Sequence, residues 1–159
     1  MPNLSGIIAP ILTPFNADTT VANDLWVSHA QWVLDQGAHF LSPFGTTGEA
    51  LSLSLPERMA AVEALVEAGI PADRLMPGTG LPALGDTKQL TRHAVALGVS
   101  AVMVLPSFFY TDATEDGHFR YFAALVDAVA DPRPPRFRLV PDPPPQALNP
   151  LAATQGVVP

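Results

Sequence analysis

The chain has 159 residues, of which 48% are hydrophobic and 14% charged, a composition typical of one globular domain with a buried core. The net charge is −7 and the basic residues are not clustered, which argues against nucleic-acid binding because neutralising phosphates requires clustered cations. There is no cysteine, so disulfides, thiolate nucleophiles and cysteine-based metal sites are excluded. The four histidines lack metal-ligand spacing, and the sequence predicts neither a metal nor another cofactor.

The hydropathy pattern gives no indication of a membrane partner. No apolar run reaches the roughly 18 residues that a membrane-spanning helix needs. The amino terminus lacks the basic and apolar regions of a signal peptide. The sequence therefore predicts a soluble, cytoplasmic protein.

Short apolar runs alternate with amphipathic segments through residue 130. Residues 7–12 predict a first buried strand, after which Asn23 is the predicted N-cap of a helix that ends at Gly37. Residues 38–44 predict a second strand. Ser54 and Glu57 have the spacing of a capping box, which predicts the start of a second helix.

Two further strand–helix pairs follow. Residues 74–78 predict a short third strand, weakened by Pro77, and a third helix is expected to begin near Asp86 and end near Gly98. Residues 100–106 form the clearest strand pattern in the chain, and Thr114 is the predicted cap of a fourth helix. Four successive strand–helix units imply parallel strands joined by right-handed crossovers, and so an α/β fold.

The composition changes at residue 131. Residues 131–159 hold half of the chain's 18 prolines, and proline disfavours both central strands and helix interiors. We therefore expect one α/β unit over residues 1–130, followed by an irregular proline-rich tail over residues 131–159.

The stretch "GTTGE" places two threonines between two glycines, at the junction of the second strand and the second helix. One interpretation is a turn with capping hydroxyls. The other is a pocket for a small anionic substrate, since hydroxyls and freed backbone N–H groups suit a carboxylate and glycines let the main chain approach it. A nucleotide-phosphate loop is disfavoured because neither GxxxxGK[ST] nor GxGxxG is present.

The stretches "GIIAPILTPF", "GTTGEALSLSLPER", "PGTG" and "VLPSFFYTDATEDGHFRYFAAL" together resemble the amino-terminal half of the dihydrodipicolinate synthase / N-acetylneuraminate lyase family. The resemblance covers roughly residues 4–130. It implies a partial TIM (β/α)8 barrel of about four βα units. It also implies a class I lyase or aldolase that acts on pyruvate or a related 2-oxo acid through a lysine Schiff base.

The resemblance also implies roles for particular residues. Thr46 and Thr47 would bind the substrate carboxylate, and Thr46 would also belong to a proton relay of hydroxyl groups. Tyr110, in the aromatic cluster after the fourth strand, would complete the relay of a neighbouring subunit. The resemblance therefore implies a homo-oligomer.

Two features of the family's carboxyl-terminal half are not found in the 159 residues. The Schiff-base lysine is expected on a sixth strand, but Lys88 is the chain's single lysine and falls in the third predicted helix. The relay tyrosine is expected on a fifth strand, yet no tyrosine follows Tyr121. A complete barrel takes about 250 residues, so 159 residues supply roughly half of one. A shifted reading frame in a GC-rich gene is one hypothesis for the tail.

The sequence leaves three interpretations open. The chain could be an active lyase, an inactive fragment of such an enzyme, or a non-catalytic module that binds a small carboxylate through the GTTGE loop. The missing lysine favours the fragment. Half a barrel exposes strand edges and one side of the core, so we also expect self-association.

Overall fold

The computed structural model describes residues 4–106, 108–110 and 112–129. The proline-rich tail predicted over residues 131–159 lies outside these ranges. Within them are two strands, four α-helices and two short 3₁₀ helices (Ala50–Ser52 and Ala72–Arg74). In chain order, the strands and α-helices are β1 (Ile8–Pro10), α1 (Asn23–Asp35), β2 (Phe40–Ser42), α2 (Leu55–Glu67), α3 (Leu84–Leu97) and α4 (Glu115–Val129).

The strands form one parallel sheet that grows in chain order. β1 pairs with β2 in the register Ile8↔Phe40 to Pro10↔Ser42. Residues 75–78, here called the third segment, join β2 through a parallel bridge between Leu41 and Leu75. Residues 102–103, the fourth segment, join the third through a parallel bridge between Gly78 and Met103. The α/β prediction is confirmed, and the sheet does not close into a barrel within the described residues.

The strength of the strand pattern in the sequence does not match the extent of strand pairing in the structure. The run at residues 100–106 has the clearest strand pattern, but its described pairing to the third segment is a single bridge at Met103. The cause is geometric, because the third segment contains Pro77, which has no N–H to donate. Two hydrogen bonds flank Gly78 and form this bridge: Met103 N–H donates to Pro77 O at 2.9 Å, and Thr79 N–H donates to Met103 O at 2.9 Å.

Local signals located most helix ends correctly. Gly37 and Gly98 follow α1 and α3 with positive φ angles, as a glycine beyond a helix end should. Thr114 caps α4 by accepting a hydrogen bond from Gly117 N–H at 3.1 Å.

Two predicted helix starts differ from the structure. The Asn23 prediction was wrong by one position: α1 begins at Asn23, and Ala22 occupies the cap position. The third helix begins at Leu84, two residues before the predicted start.

The core lies between the sheet and the helices. Its fully buried members come from every part of the sheet and from the inner faces of the helices, among them Ile11, Trp26, Leu41, Leu65, Leu75, Val102, Val104 and Leu125. Each helix packs against the next, α1 on α2, α2 on α3 and α3 on α4. Other apolar side chains remain exposed, including Ile8, Leu12 and Leu105. None of the helices that the structure describes is long and apolar enough to cross a membrane.

Candidate active site

The threonine and tyrosine residues singled out from the sequence follow two different members of the sheet. Thr46 and Thr47 lie just beyond β2, and Tyr110 lies beyond the fourth segment. Because the sheet is parallel, both positions are on its carboxyl edge, where α/β barrels carry their active sites. One segment separates the two, which places the two strand axes about 10 Å apart.

The GTTGE loop is a compact turn. Gly48 N–H and Ala50 N–H both donate to Gly45 O, at 3.1 and 3.3 Å, and Glu49 N–H donates to Thr46 O at 3.1 Å. Glu49 has a φ of 51°, in the left-handed region that a non-glycine residue rarely adopts. A short 3₁₀ helix follows and leads into α2. The turn interpretation of this stretch is therefore correct as a description of its backbone.

The same turn leaves polar groups of both threonines available. The Thr46 and Thr47 side chains are exposed. Among the described residues, neither their hydroxyls nor their backbone N–H groups have a hydrogen-bond partner. Two hydroxyls and two N–H groups on adjacent residues can surround one carboxylate, which accepts hydrogen bonds at both oxygens.

A buried threonine just beyond β1 holds one end of the loop, and sequence reasoning missed it. Thr13 Oγ1 donates to Gly48 O at 2.7 Å, and the Thr13 side chain is buried. Gly48 has no room for a side chain, because a Cβ there would lie 2.8 Å from Ile11 O. The "TPF" motif after the first strand was the available signal, but it did not reveal this partner 35 residues away.

Phe44, which precedes the loop, holds the other end. Its φ is 60°, and its buried ring stacks on Trp26 with ring centroids 5.6 Å apart. Gly78 of the third segment packs against the Phe44 backbone so closely that a Cβ would lie 2.2 Å from Phe44 O. The first glycine of "PGTG", Gly78, is thus required for close packing of the third segment at the base of the loop.

Arg58 of α2 lies behind Phe44 and was also missed as a candidate. Its side chain is 2% exposed, its Nη2 donates to Gly78 O, and its guanidinium carbon lies 5.6 Å from the centroid of the Phe44 ring. Burial lowers the pKa of Arg58 to about 10. At neutral pH it therefore remains a cation inside the fold.

A small crevice opens behind the loop, between α2, α3 and the third segment. Arg58, His93 and Thr79 contribute its polar lining, and Met59, Val62 and Leu90 part of its apolar lining. It has room for about one water molecule, which is too little for a three-carbon acid. Neither Thr46 nor Thr47 lines it, so it is distinct from the exposed threonine surface.

Tyr110 contrasts with the two threonines in how little holds it. Its side chain is 65% exposed, beside Phe109 at 70%. Its backbone carbonyl accepts a hydrogen bond from Ala113 N–H at 3.2 Å. Within the described residues, no hydrogen bond joins Tyr110 to Thr46 or Thr47. The structure thus places Tyr110 at the same edge as the threonines but shows no hydrogen bond between them.

Lys88 lies on α3, in the helical layer that covers one face of the sheet. It is part of that helix and not of the loops that begin at the sheet's carboxyl edge. Among the described residues, no group of three or more histidine, aspartate or glutamate side chains could hold a metal ion.

Comparison with known proteins identifies the family of this chain. The model of the "Dihydrodipicolinate synthetase family" matches residues 3–133. The chain belongs to the dihydrodipicolinate synthetase family. An uncharacterized DapA-like lyase of Chloroflexus aurantiacus is 39% identical over 130 residues, which is 80% of this chain and 43% of that protein.

Solved structures of the dihydrodipicolinate synthetase family share the fold. The dihydrodipicolinate synthase of Agrobacterium tumefaciens has a TM-score of 0.86 at 26% identity, over 96% of this chain and 56% of its own. YagE, a prophage protein of E. coli K12 in the same family, was solved in complex with pyruvate. Its TM-score is 0.82 at 25% identity, over 98% of this chain and 53% of its own. These neighbours are TIM barrels, and the 159-residue chain spans about half their length.

Proposed function

We propose that this chain carries the carboxylate-binding half of a class I lyase or aldolase site for pyruvate or a related 2-oxo acid. The observation that carries the proposal is the GTTGE loop, which presents two hydroxyls and two backbone N–H groups at the carboxyl edge of a parallel sheet. The pyruvate complex of YagE supports the substrate class. In this proposal, Thr46 and Thr47 bind the carboxylate.

The remaining chemistry needs groups with other properties. In a Schiff-base reaction, a lysine amine attacks the ketone and water leaves to give an imine, which then stabilises the carbanion as an enamine. The only lysine of the 159 residues is Lys88, on α3 rather than at a strand's carboxyl end. We therefore propose that this chain does not catalyse the reaction by itself, and that Thr46 and Thr47 only orient the acid.

The Thr46 hydroxyl and the Tyr110 phenol are the proposed members of a proton relay. Tyr110 is exposed and not in hydrogen-bond contact with Thr46 in its own chain, which fits a tyrosine that serves a second subunit. We accordingly propose that the chain self-associates. Analytical ultracentrifugation over a hundredfold concentration range should show mass above that of the 16.8 kDa monomer, and a monomer throughout would contradict this part.

Two measurements on the purified chain test the proposal. Pyruvate with borohydride should leave the mass of the protein unchanged. A reduced adduct at Lys88 would contradict the proposal that the chain is inactive by itself. In ¹⁵N NMR spectra, pyruvate should shift the Thr46, Thr47 and Gly48 amides. Acetone, which has the ketone without the carboxylate, should not. Equal shifts with both ligands, or no shift with pyruvate, would contradict the proposed carboxylate site.

A further inference from the structure

Arg58 is a buried cation for which the surrounding fold supplies little compensation. Among the described residues, no carboxylate forms an ion pair with it, and its Nε and Nη1 atoms have no hydrogen-bond partner. Burying a charge without a counter-ion costs free energy, and an apolar side chain of similar size is often as stable or more so. Packing alone therefore gives no reason for a guanidinium at this place.

The contacts that Arg58 does make converge on the base of the GTTGE loop. Its Nη2 donates to Gly78 O, and its planar guanidinium lies over the Phe44 ring at 5.6 Å. Gly78 N–H in turn donates to Pro43 O at 2.8 Å, directly before Phe44. Arg58 thus connects α2 with the carboxyl ends of β2 and the third segment.

Phe44 needs such support because its backbone is strained. Its φ of 60° is unfavourable for a residue with a bulky side chain, and such conformations persist only where surrounding contacts fix them. Trp26 packs on the Phe44 ring, while Gly78 packs against the Phe44 carbonyl. Arg58 contacts both the ring and Gly78, so it joins the two supports.

We propose that Arg58 is a positioning residue for the carboxylate loop. It holds Phe44 and Gly78 together, and the direction in which the chain leaves Phe44 sets where Thr46 and Thr47 present their hydroxyls and N–H groups. Its effect on ligand affinity rests on the function proposed above, whereas its effect on the order of the loop does not.

Two substitutions at this position separate charge, shape and packing. Arg58→Met keeps much of the length and volume but removes the donor and the planar cation. Arg58→Lys keeps a charge and a donor for Gly78 O but cannot lie flat over the Phe44 ring. Arg120→Met is the matched control, because Arg120 is an exposed arginine on α4 whose pairing with Asp116 lies within that helix.

Hydrogen exchange of the loop amides is the first measurement. In Arg58→Met, the Gly48 and Ala50 amides should exchange about tenfold faster or more, as expected when a hydrogen bond to a charged donor is lost. Amides in the middle of α1 should exchange as in the wild type. In Arg58→Lys, the loop amides should exchange at rates between those of the wild type and of Arg58→Met. In Arg120→Met, they should exchange as in the wild type.

Pyruvate affinity, followed by the Thr46 and Thr47 amide shifts, is the second measurement. It should weaken about tenfold in Arg58→Met and recover in part in Arg58→Lys, since tenfold corresponds to about 1.4 kcal/mol. If the wild type binds no pyruvate but Arg58→Met loosens the loop, the proposed function fails and the role of Arg58 stands.

Unchanged loop exchange in a folded Arg58→Met protein would overturn the role of Arg58. If Arg58→Met does not fold, Arg58→Lys decides the question. A folded lysine variant with a wild-type loop would then also overturn the proposal, and one with a loosened loop and intact α1 would support it.

Discussion

The two loops at the carboxyl edge of the sheet differ in how they are held. The GTTGE loop is fixed at both ends by buried groups of its own chain, Thr13 at Gly48 and the pair Arg58–Gly78 at Phe44. The loop that carries Tyr110 leaves two aromatic side chains more than 60% exposed. The first loop is therefore built by the described part of the chain, whereas the second offers aromatic surface for something else to cover.

This difference indicates how such a site divides between segments. Carboxylate binding needs fixed donors, and a donor set is fixed only when buried neighbours restrain its backbone. A relay tyrosine that serves another subunit has no such need within its own chain. We therefore expect substitutions at the buried supports of the first loop to cost stability, and substitutions of the exposed side chains of the second loop to leave it nearly unchanged.

The largest loss is expected from Gly78→Ala. The added methyl would lie 2.2 Å from Phe44 O, so the third segment and β2 must separate, at a cost of about 3 kcal/mol of unfolding free energy. Urea denaturation measures the loss. Gly85→Ala is the matched control, because nothing lies within 4 Å of its Cβ position and alanine suits a helix better. Equal midpoints for the two variants would show that the base of the loop is not tightly packed.

A smaller loss is expected from Thr13→Val. It keeps the shape of the side chain but leaves the Gly48 carbonyl without its donor, which should cost about 1–2 kcal/mol. Thr47→Val makes the same chemical change at an exposed site. It should leave stability within about 0.5 kcal/mol and weaken pyruvate binding instead. A destabilised Thr47→Val together with a neutral Thr13→Val would reverse the assignment of the two threonines.

The start of α2 gives a pH-dependent effect. The Ser54 hydroxyl, and next the Ser54 backbone N–H, donate to the Glu57 carboxylate and lower its pKa below the ordinary value of 4.5. A depressed native pKa stabilises the fold above pH 4.5, and this contribution is lost as the pH falls through the native value.

Ser54→Ala should therefore be less stable than the wild type near neutral pH, and the difference should shrink below pH 4.5. Thermal melts across this range measure it. Ser28→Ala, at an exposed position of α1, should show no pH-dependent difference from the wild type. A Ser54→Ala deficit that grows in acid would contradict the sign.

The smallest effect is expected in the second loop. Tyr110→Phe and Phe109→Ser change side chains that are 65% and 70% exposed, so each should alter the unfolding free energy by less than about 0.5 kcal/mol. Measurements belong at low protein concentration, where self-association contributes least. A loss above 1 kcal/mol in either variant under these conditions would mean that the second loop is held as firmly as the first.

The sequence by itself determined the features that depend on neighbours in the chain. The spacing of apolar residues gave the four helices, the pair Ser54 and Glu57 gave the start of α2, and Thr114 gave the cap of α4. Even the GTTGE loop could be located as a turn, because glycine and threonine act on the backbone within a few residues. The motifs that resemble the family also lie within short stretches.

Only the tertiary structure decided what holds the loop in place. Thr13 meets Gly48 from 35 residues away, and Arg58 meets Gly78 from 20. The strong strand pattern at residues 100–106 likewise produced one described bridge to the third segment, because pairing also depends on the partner, which contains Pro77. Contacts of this kind form only when the sheet brings distant segments together, so no local pattern of the sequence records them.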